Sequence, residues 1–263
     1  MAQHPFPGFP DKHSHECLIN PDAFVEYHRT EGSYRDFEPP TAAILCYHRG
    51  LAEHVIAGRD TTKISGFFGD TFLLGDTNNN IALVANFGIG SPVAAVMLED
   101  LIALGATEVL SIGTTGALQQ GAQIGDIVLC DRAIRDEGTS HHYLPPASHA
   151  HASPALTART AAALDARALS YCTGTSWTTD APYRETITEA RHYQQQGVQC
   201  VEMEAAALFA VAEHRGAHVA SLLTVSDSLA EMSWEPAFHS EGLFDSLQLL
   251  FDVAVEVLSE PGA

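Results

Sequence analysis

Residues 199–227 read QCVEMEAAALFAVAEHRGAHVASLLTVSD. A short β-prone start runs into an alanine-rich segment with the composition of a helix, which Gly216 ends. AHVASLLTVSD (217–227) is then almost wholly apolar, the pattern of a strand buried on both faces of a sheet. Strand, helix and strand in this order point to an α/β fold.

The alternation continues in both directions. TEVLSI (107–112) reads as a strand that breaks into Gly113-Thr114-Thr115-Gly116, and DIVLCDRAI (126–134) as another. AAILCY (42–47) and IALVANF (81–87) are strands, with FFGDTFLL (67–74) a weaker one. SPVAAVMLEDLIALG (91–105) is a helix with Ser91 as N-cap, Pro92 at the first turn and Gly105 past its end. SPALTARTAAALDARAL (153–169) repeats that opening. Residues 174–182 read as a loop, followed by a polar helical stretch to about Gln196, and the last helix runs from about Pro236 to Leu258. Residues 1–40, rich in Pro, His and turn formers, are expected to form an N-terminal arm with one helix near Pro21–Arg29. Residues 41–263 are expected to form one domain, a three-layer α/β/α sandwich with a central mixed sheet.

The 263 residues can bury a core without disulfides or metals. They carry 33 acidic and 13 basic side chains, a formal net charge of −20, and only two lysines, Lys12 and Lys63. Nucleic acid and anionic membranes need a positive partner, so this balance excludes both. An anionic substrate must be held by local donors. Five widely spaced cysteines, an odd number mostly inside apolar runs, read as reduced and buried, hence cytosolic. The start MAQHPFPGFPDKHSHE has no apolar segment of the signal-peptide kind, and no apolar run reaches membrane-spanning length.

Ligands of such sheets sit at the carboxyl ends of strands, and three ends carry distinctive chemistry: Gly113–Gly116, Val201–Glu204 and Ser226–Asp227. Glu202 and Glu204 are either an acidic helix N-terminus, stabilised by the dipole, or carboxylates that accept hydroxyls of a sugar, with Met203 as an apolar surface for its ring. Asp227 is either a cap or a buried acid able to protonate a leaving group.

VEMEAAALF, LLTVSDSL and IGTTGAL, in this order and spacing and with FGIGSP before them, resemble the nucleoside phosphorylase family, over roughly Thr41 to Val257. The resemblance implies a nucleoside phosphorylase-like sandwich, assembled as a homo-oligomer (a dimer or a trimer of dimers). It implies cleavage of a nucleoside's N-glycosidic bond by inorganic phosphate as co-substrate, with no organic cofactor and no metal. By position it gives Glu204 the ribose 2′- and 3′-hydroxyls, places Met203 on the sugar and sets Glu202 at the base and sugar side. Asp227 matches the acid that protonates a departing purine, with Ser226 beside it in the base site. Gly113 and Thr114, with Ser111 and Thr115, line the phosphate pocket, and Gly88 and Gly90 match a loop that lets backbone approach the ligand. Trp177 falls near the aromatic that stacks on the base. Arg184 falls near a base-contacting arginine of uridine phosphorylases and pulls towards a pyrimidine, against Asp227.

The departures concentrate on the phosphate. Ser111 stands where the family has an arginine, and the Gly-Asp-Pro-x-Arg turn has become Cys46–Leu51. The arginine lent by a neighbouring subunit falls near Ser65-Gly66, and His239 replaces the arginine that assists the acid. Desolvating an anion needs compensation, for which Arg49 is the first candidate and Lys63 the second, beside backbone donors. Water as nucleophile, with His48 or Glu53 as base, would make the chain a hydrolytic nucleosidase. Uridine phosphorylase activity and non-catalytic nucleoside binding also compete with the expected purine phosphorolysis. His141 and His142 are candidate ligand contacts, and His13 and His15 are candidates for a 5′-hydroxyl across a subunit boundary. His13-x-His15 has no third metal ligand nearby.

Overall fold

The computed structural model describes residues 9, 11–32, 37–64 and 68–260. Among them, eleven strands form one mixed sheet: β1 (Ala42–Cys46), β2 (Thr61–Ile64), β3 (Asp70–Leu74), β4 (Ile81–Ala85), β5 (Glu108–Ala117), β6 (Ile127–Asp136), β7 (His149–His151), β8 (Tyr171–Thr179), β9 (Cys200–Glu202), β10 (His218–Ser228) and β11 (Glu235–Pro236). The helices are α1 (Pro21–Thr30), α2 (Arg49–Gly58), α3 (Ser91–Leu104), α4 (Pro154–Ala166), α5 (Ile187–Gln195), α6 (Ala205–Arg215) and α7 (Glu241–Ser259).

The pleat of β5 explains the layers. Successive residues face opposite sides of a strand. Val109 packs with Leu98, Leu208 and Phe209 of α3 and α6, while Leu110 and Ile112 pack with Leu51, Leu247 and Phe251 of α2 and α7. The expected sandwich is therefore present, with helices on both faces of a mixed sheet. α1 adds an outer element on α3, where Val25 meets Leu104.

The strand at 107–112 does not stop at the glycines. β5 continues to Ala117 because its far half is paired on both sides, Thr114 and Thr115 to Thr224 and Val225 of β10, and Gly116 to Val201 of β9. With the β10–β6, β6–β8 and β8–β9 pairings this closes a ring of five strands. Residues 174–179, expected as loop, belong to β8, whose Thr and aromatic residues suit a strand. Its buried hydroxyls hid it from a reading based on apolar runs. α2, β2 and β7 were likewise unanticipated, and α7 begins at Glu241, capped by Ser240, since Pro236 lies in β11.

Ser91 is not the cap of α3. Gly90 takes that place with a φ of 102°, open to glycine and strained for other residues, and the buried Ser91 hydroxyl donates instead to the Met203 carbonyl at 2.8 Å. All five cysteines are unpaired; Cys46, Cys130 and Cys200 are buried, but Cys17 and Cys172 are exposed, against the expectation of burial. No helix among the described residues is long and apolar enough to cross a membrane.

Candidate active site

Gly116 is the residue around which the three strand ends gather. It pairs with Val201 on one side and Asp227 on the other, and a Cβ there would lie 2.6 Å from Leu229 and 3.2 Å from an Asp227 carboxylate oxygen. A register shift between Val225 and Asp227 re-aims the end of β10, as bulges near functional sites do. Glu204, the N-cap residue of α6 just past β9, and Asp227, near the end of β10, thus stand at one end of the sheet.

The two glutamates of VEME divide the two readings the sequence left open. Glu202 is a structural carboxylate. Its Oε2 accepts the Glu204 and Ala205 backbone N–H groups at 2.8 and 2.7 Å, capping α6, and its Oε1 accepts the Ser176 and Thr178 hydroxyls. Four donors leave it no role on the sugar, which corrects that expectation. Burial raises its pKa, and the four donors pull it back. Glu204, two residues on, takes a 2.5 Å bond from the Gly90 N–H and weaker support from backbone at Met203. A carboxylate has about four acceptor sites, so Glu204 retains capacity for a ligand. Burial, then the Glu202 charge, pushes its pKa up to about 8. The half-buried Met203 lies between them, its carbonyl tied to Ser91.

Asp227 is buried, and both its oxygens are held: Oδ1 by the Ser226 hydroxyl at 2.7 Å and Oδ2 by the Trp234 indole N–H at 2.9 Å. The Ser226 hydroxyl, expected in the base site, serves this bond instead. Trp234, not His239, is the side chain that bonds Asp227. His239 is exposed and lines a cleft of about 470 Å³ with His48, Gly50, Phe238, Leu243 and Phe244. Glu185, just before α5, feels the Asp227 charge, which together with burial, the larger cause, raises its pKa to about 7. Neither Trp234 nor Glu185 has a motif to announce it.

At the acceptor end, Ser111, Gly113 and Thr115 share the face of β5 that looks towards α3 and α6, and Thr114 points to the other. The buried Ser111 hydroxyl faces the Tyr47 hydroxyl at 3.4 Å, and a Cβ on Gly113 would meet the Tyr47 ring at 3.4 Å. Tyr47 therefore lies beside Ser111 and Gly113. Burial, with the Glu204 charge adding, raises its pKa well above the usual value and keeps the phenol a neutral donor. Thr115 donates to the Val201 carbonyl at 2.7 Å and is tied to the sheet, so it leaves the pocket as a donor. Thr114 is half-buried, and its hydroxyl has no partner among the described residues.

The candidate cations are elsewhere. Arg49 extends into solvent and pairs with Glu53 at 2.8 Å, and Lys63 pairs with Asp70. Ser65 and Gly66 lie outside the described residues. The bases that a water nucleophile would need are also engaged: His48 Nδ1 accepts the Leu51 N–H as the cap of α2, and Glu53 holds Arg49.

Trp177 is fully buried, with its N–H on Asp136 at 2.9 Å and its ring against Tyr193, so it has no face for a base. The reason is the pleat: Ser176 and Thr178 face Glu202, which sends Trp177 to the opposite side. Arg184 lies exposed in a 3₁₀ turn, Pro182–Arg184. His13 belongs to the turn Lys12–Ser14, and His15 rests edge-on against Phe9. That turn docks on Ser140–His142, where Lys12 meets His142 Nδ1 at 3.0 Å, and His141 bonds the Arg135 carbonyl.

A family model for the phosphorylase superfamily matches residues 42–255. The chain belongs to that superfamily. It is 34% identical to a guanosine phosphorylase of Halorubrum lacusprofundi over 146 residues, 56% of this chain and 61% of that protein. It is 29% identical to a uridine phosphorylase of Thermococcus kodakarensis over 193 residues, 67% of each chain. A DeoD-type purine nucleoside phosphorylase of Alkaliphilus metalliredigens is 29% identical over 174 residues, 64% of this chain and 71% of that one. The chain thus matches less than two thirds of the Halorubrum protein's length. The crystal structure of uridine phosphorylase from Vibrio fischeri superposes with a TM-score of 0.70 at 24% identity, covering 83% of this chain and 91% of that one, a likeness of fold. In this superfamily member, the VEME and VSD motifs meet at one continuous sheet end.

Proposed function

We propose that the chain cleaves the N-glycosidic bond of a purine nucleoside with inorganic phosphate, releasing the base and ribose 1-phosphate. The observation that carries this reading is the meeting at Gly116 of the strand ends bearing Glu204 and Asp227. Glu204, ionised, accepts the ribose 2′- and 3′-hydroxyls, and the apolar Met203 covers the sugar. As the bond breaks, positive charge develops on the ribosyl carbon and negative charge on the base, and Asp227 delivers a proton to the base. The acid is what favours a purine, because protonation of the leaving ring makes it a better leaving group. Phosphate attacks C1′ from the Gly113 side, held by backbone N–H groups, Ser111 and the neutral Tyr47 hydroxyl. Relatives named as guanosine, purine nucleoside and uridine phosphorylases support a nucleoside as substrate. The five unpaired cysteines support a cytosolic setting.

The test is release of base and ribose 1-phosphate from inosine, guanosine, adenosine and uridine, with and without phosphate. Phosphate-dependent turnover of the purine nucleosides, with ribose 1-phosphate as product, is expected. Turnover that ignores phosphate, or that favours uridine, would overturn the reaction type or the base assignment respectively.

A further inference from the structure

The segment after β10 folds back so that Glu235 and Pro236 pair with Ser228 and Asp227. The strap is fastened at several points: Leu229 N–H to the Ala117 carbonyl, Met232 N–H to Leu229, and Ala237 N–H to Ser226. Met232 adopts a φ of 58°, uncommon for a residue with a side chain, at the turn that brings Trp234 round. The result is unusual for a tryptophan. One edge is anchored on the buried Asp227 through a 2.9 Å bond, while the residue is 63% exposed. Phe238, also exposed, stands at a ring separation of 6.3 Å.

We propose that Trp234 positions Asp227 through its indole N–H and covers the nucleoside base with its open face, so that it sets both the aim of the acid and the preference for a large aromatic base. This rests on the reading of Asp227 as the acid for the leaving base. An indole N–H donates and never accepts, so Oδ2 must stay an acceptor in every protonation state. The other oxygen, Oδ1, takes the Ser226 hydroxyl, so both oxygens of the carboxyl are fixed in direction. The other acid close to Asp227 is Glu185, and the arrangement separates the two: Trp234 holds Asp227, and no side chain among the described residues holds the Glu185 carboxyl. An arginine in the same place would add a full charge, whereas an indole aims the carboxylate without one. The exposed face is the kind of platform on which a purine stacks, and edge-anchored aromatic side chains lose little freedom in doing so.

The chain has two tryptophans, and Trp177 is fully buried, so a ligand that reaches an indole face reaches Trp234. Titrating the wild-type enzyme with inosine, hypoxanthine and uridine while following tryptophan emission is the first measurement. Saturable quenching by inosine and hypoxanthine, stronger than by uridine, is expected; no change with any of them in an enzyme that turns over nucleosides would overturn the base contact. The second measurement compares Trp234→Phe, which keeps a ring and loses the N–H, with Trp234→Ala. Trp234→Phe is expected to lower kcat about tenfold, with KM for the nucleoside within about twofold and a displaced alkaline limb of the pH–kcat profile. Trp234→Ala is expected to raise that KM a further fivefold or so. Wild-type kcat and pH profile in Trp234→Phe would remove the positioning role. If the wild type lacks phosphorolysis altogether, the parent reading fails, and quenching by hypoxanthine still decides whether Trp234 meets a base.

Discussion

The two ends of the candidate site share neutral donors and differ in what those donors face. At the sugar and base end, carboxylates are buried and held by neutral donors: backbone N–H groups and hydroxyls for Glu202, Gly90 for Glu204, and Ser226 with Trp234 for Asp227. At the acceptor end, where an anion must be accommodated, the donors are also neutral, and the candidate arginine and lysine are paired elsewhere on the surface. On the proposed reaction, the first end keeps negative charge on the protein because it faces a substrate that turns cationic. On the same proposal, the second end would hold an anion through a handful of hydrogen bonds from neutral groups.

The contrast is tested most severely at the two glutamates. Glu204→Gln is expected to lower kcat/KM for the nucleoside by about 10²–10⁴-fold, the loss of two charge-assisted hydrogen bonds worth about 1.5–3 kcal/mol each. The same change should raise thermal stability. A carboxylate whose folded pKa lies near 8, against an ordinary value of 4.5, makes the fold lose stability as pH rises between those values, because the unfolded chain gives up its proton first. The glutamine variant lacks that slope, so its melting temperature should exceed the wild type's by more at pH 9 than at pH 5. In the wild type, kcat/KM should climb as pH rises towards about 8, as Glu204 ionises, and level off above. Glu202→Gln should do the reverse for stability, melting several degrees lower, since an amide nitrogen would confront groups that are all donors. Equal behaviour of the two variants would erase the division between a structural and a binding carboxylate.

That division also measures how far the sequence can be read. VEME identified a strand running into a helix and the pair of acids, because those follow from short-range pattern. Which acid binds and which caps depended on Ser176 and Thr178, two hydroxyls on a strand that polar composition disguised as loop. The apolar strand ending in Ser226-Asp227 was plain from its burial pattern. Its partner Trp234 was not, since it arrives through a fold-back turn at Met232 that no local signal required. The glycines at 113 and 116 looked like the end of a strand, yet pairing to β10 and β9 carried the strand through them. In each case short-range chemistry was legible, and what was missed is a contact between segments distant in sequence.

A milder change probes the acceptor end. Tyr47→Phe removes one neutral hydroxyl beside Ser111 while keeping the ring against Gly113 and Phe87. A neutral hydrogen bond contributes about 0.5–1.5 kcal/mol, so KM for phosphate should rise about 2–12-fold with KM for the nucleoside little changed. A rise confined to the nucleoside would assign Tyr47 to the sugar side instead, where the Glu204 charge already reaches it.

Arg49 should matter least, and for that reason it tests an acceptor site without cations most directly. Its side chain is 82% exposed and held in an i,i+4 pair with Glu53 on the first turn of α2. Exposed pairs of this kind contribute about 0.3–0.5 kcal/mol and weaken with salt. Arg49→Ala should therefore change KM for phosphate by less than about twofold, and the melting temperature by a degree or so. If the guanidinium instead swings onto the bound anion during turnover, the variant will lose phosphate affinity by roughly tenfold or more, and the loss will shrink as ionic strength rises. Such a loss would make the acceptor end a charged site that assembles only with its ligand, and the contrast between the two ends would then hold for the free enzyme alone.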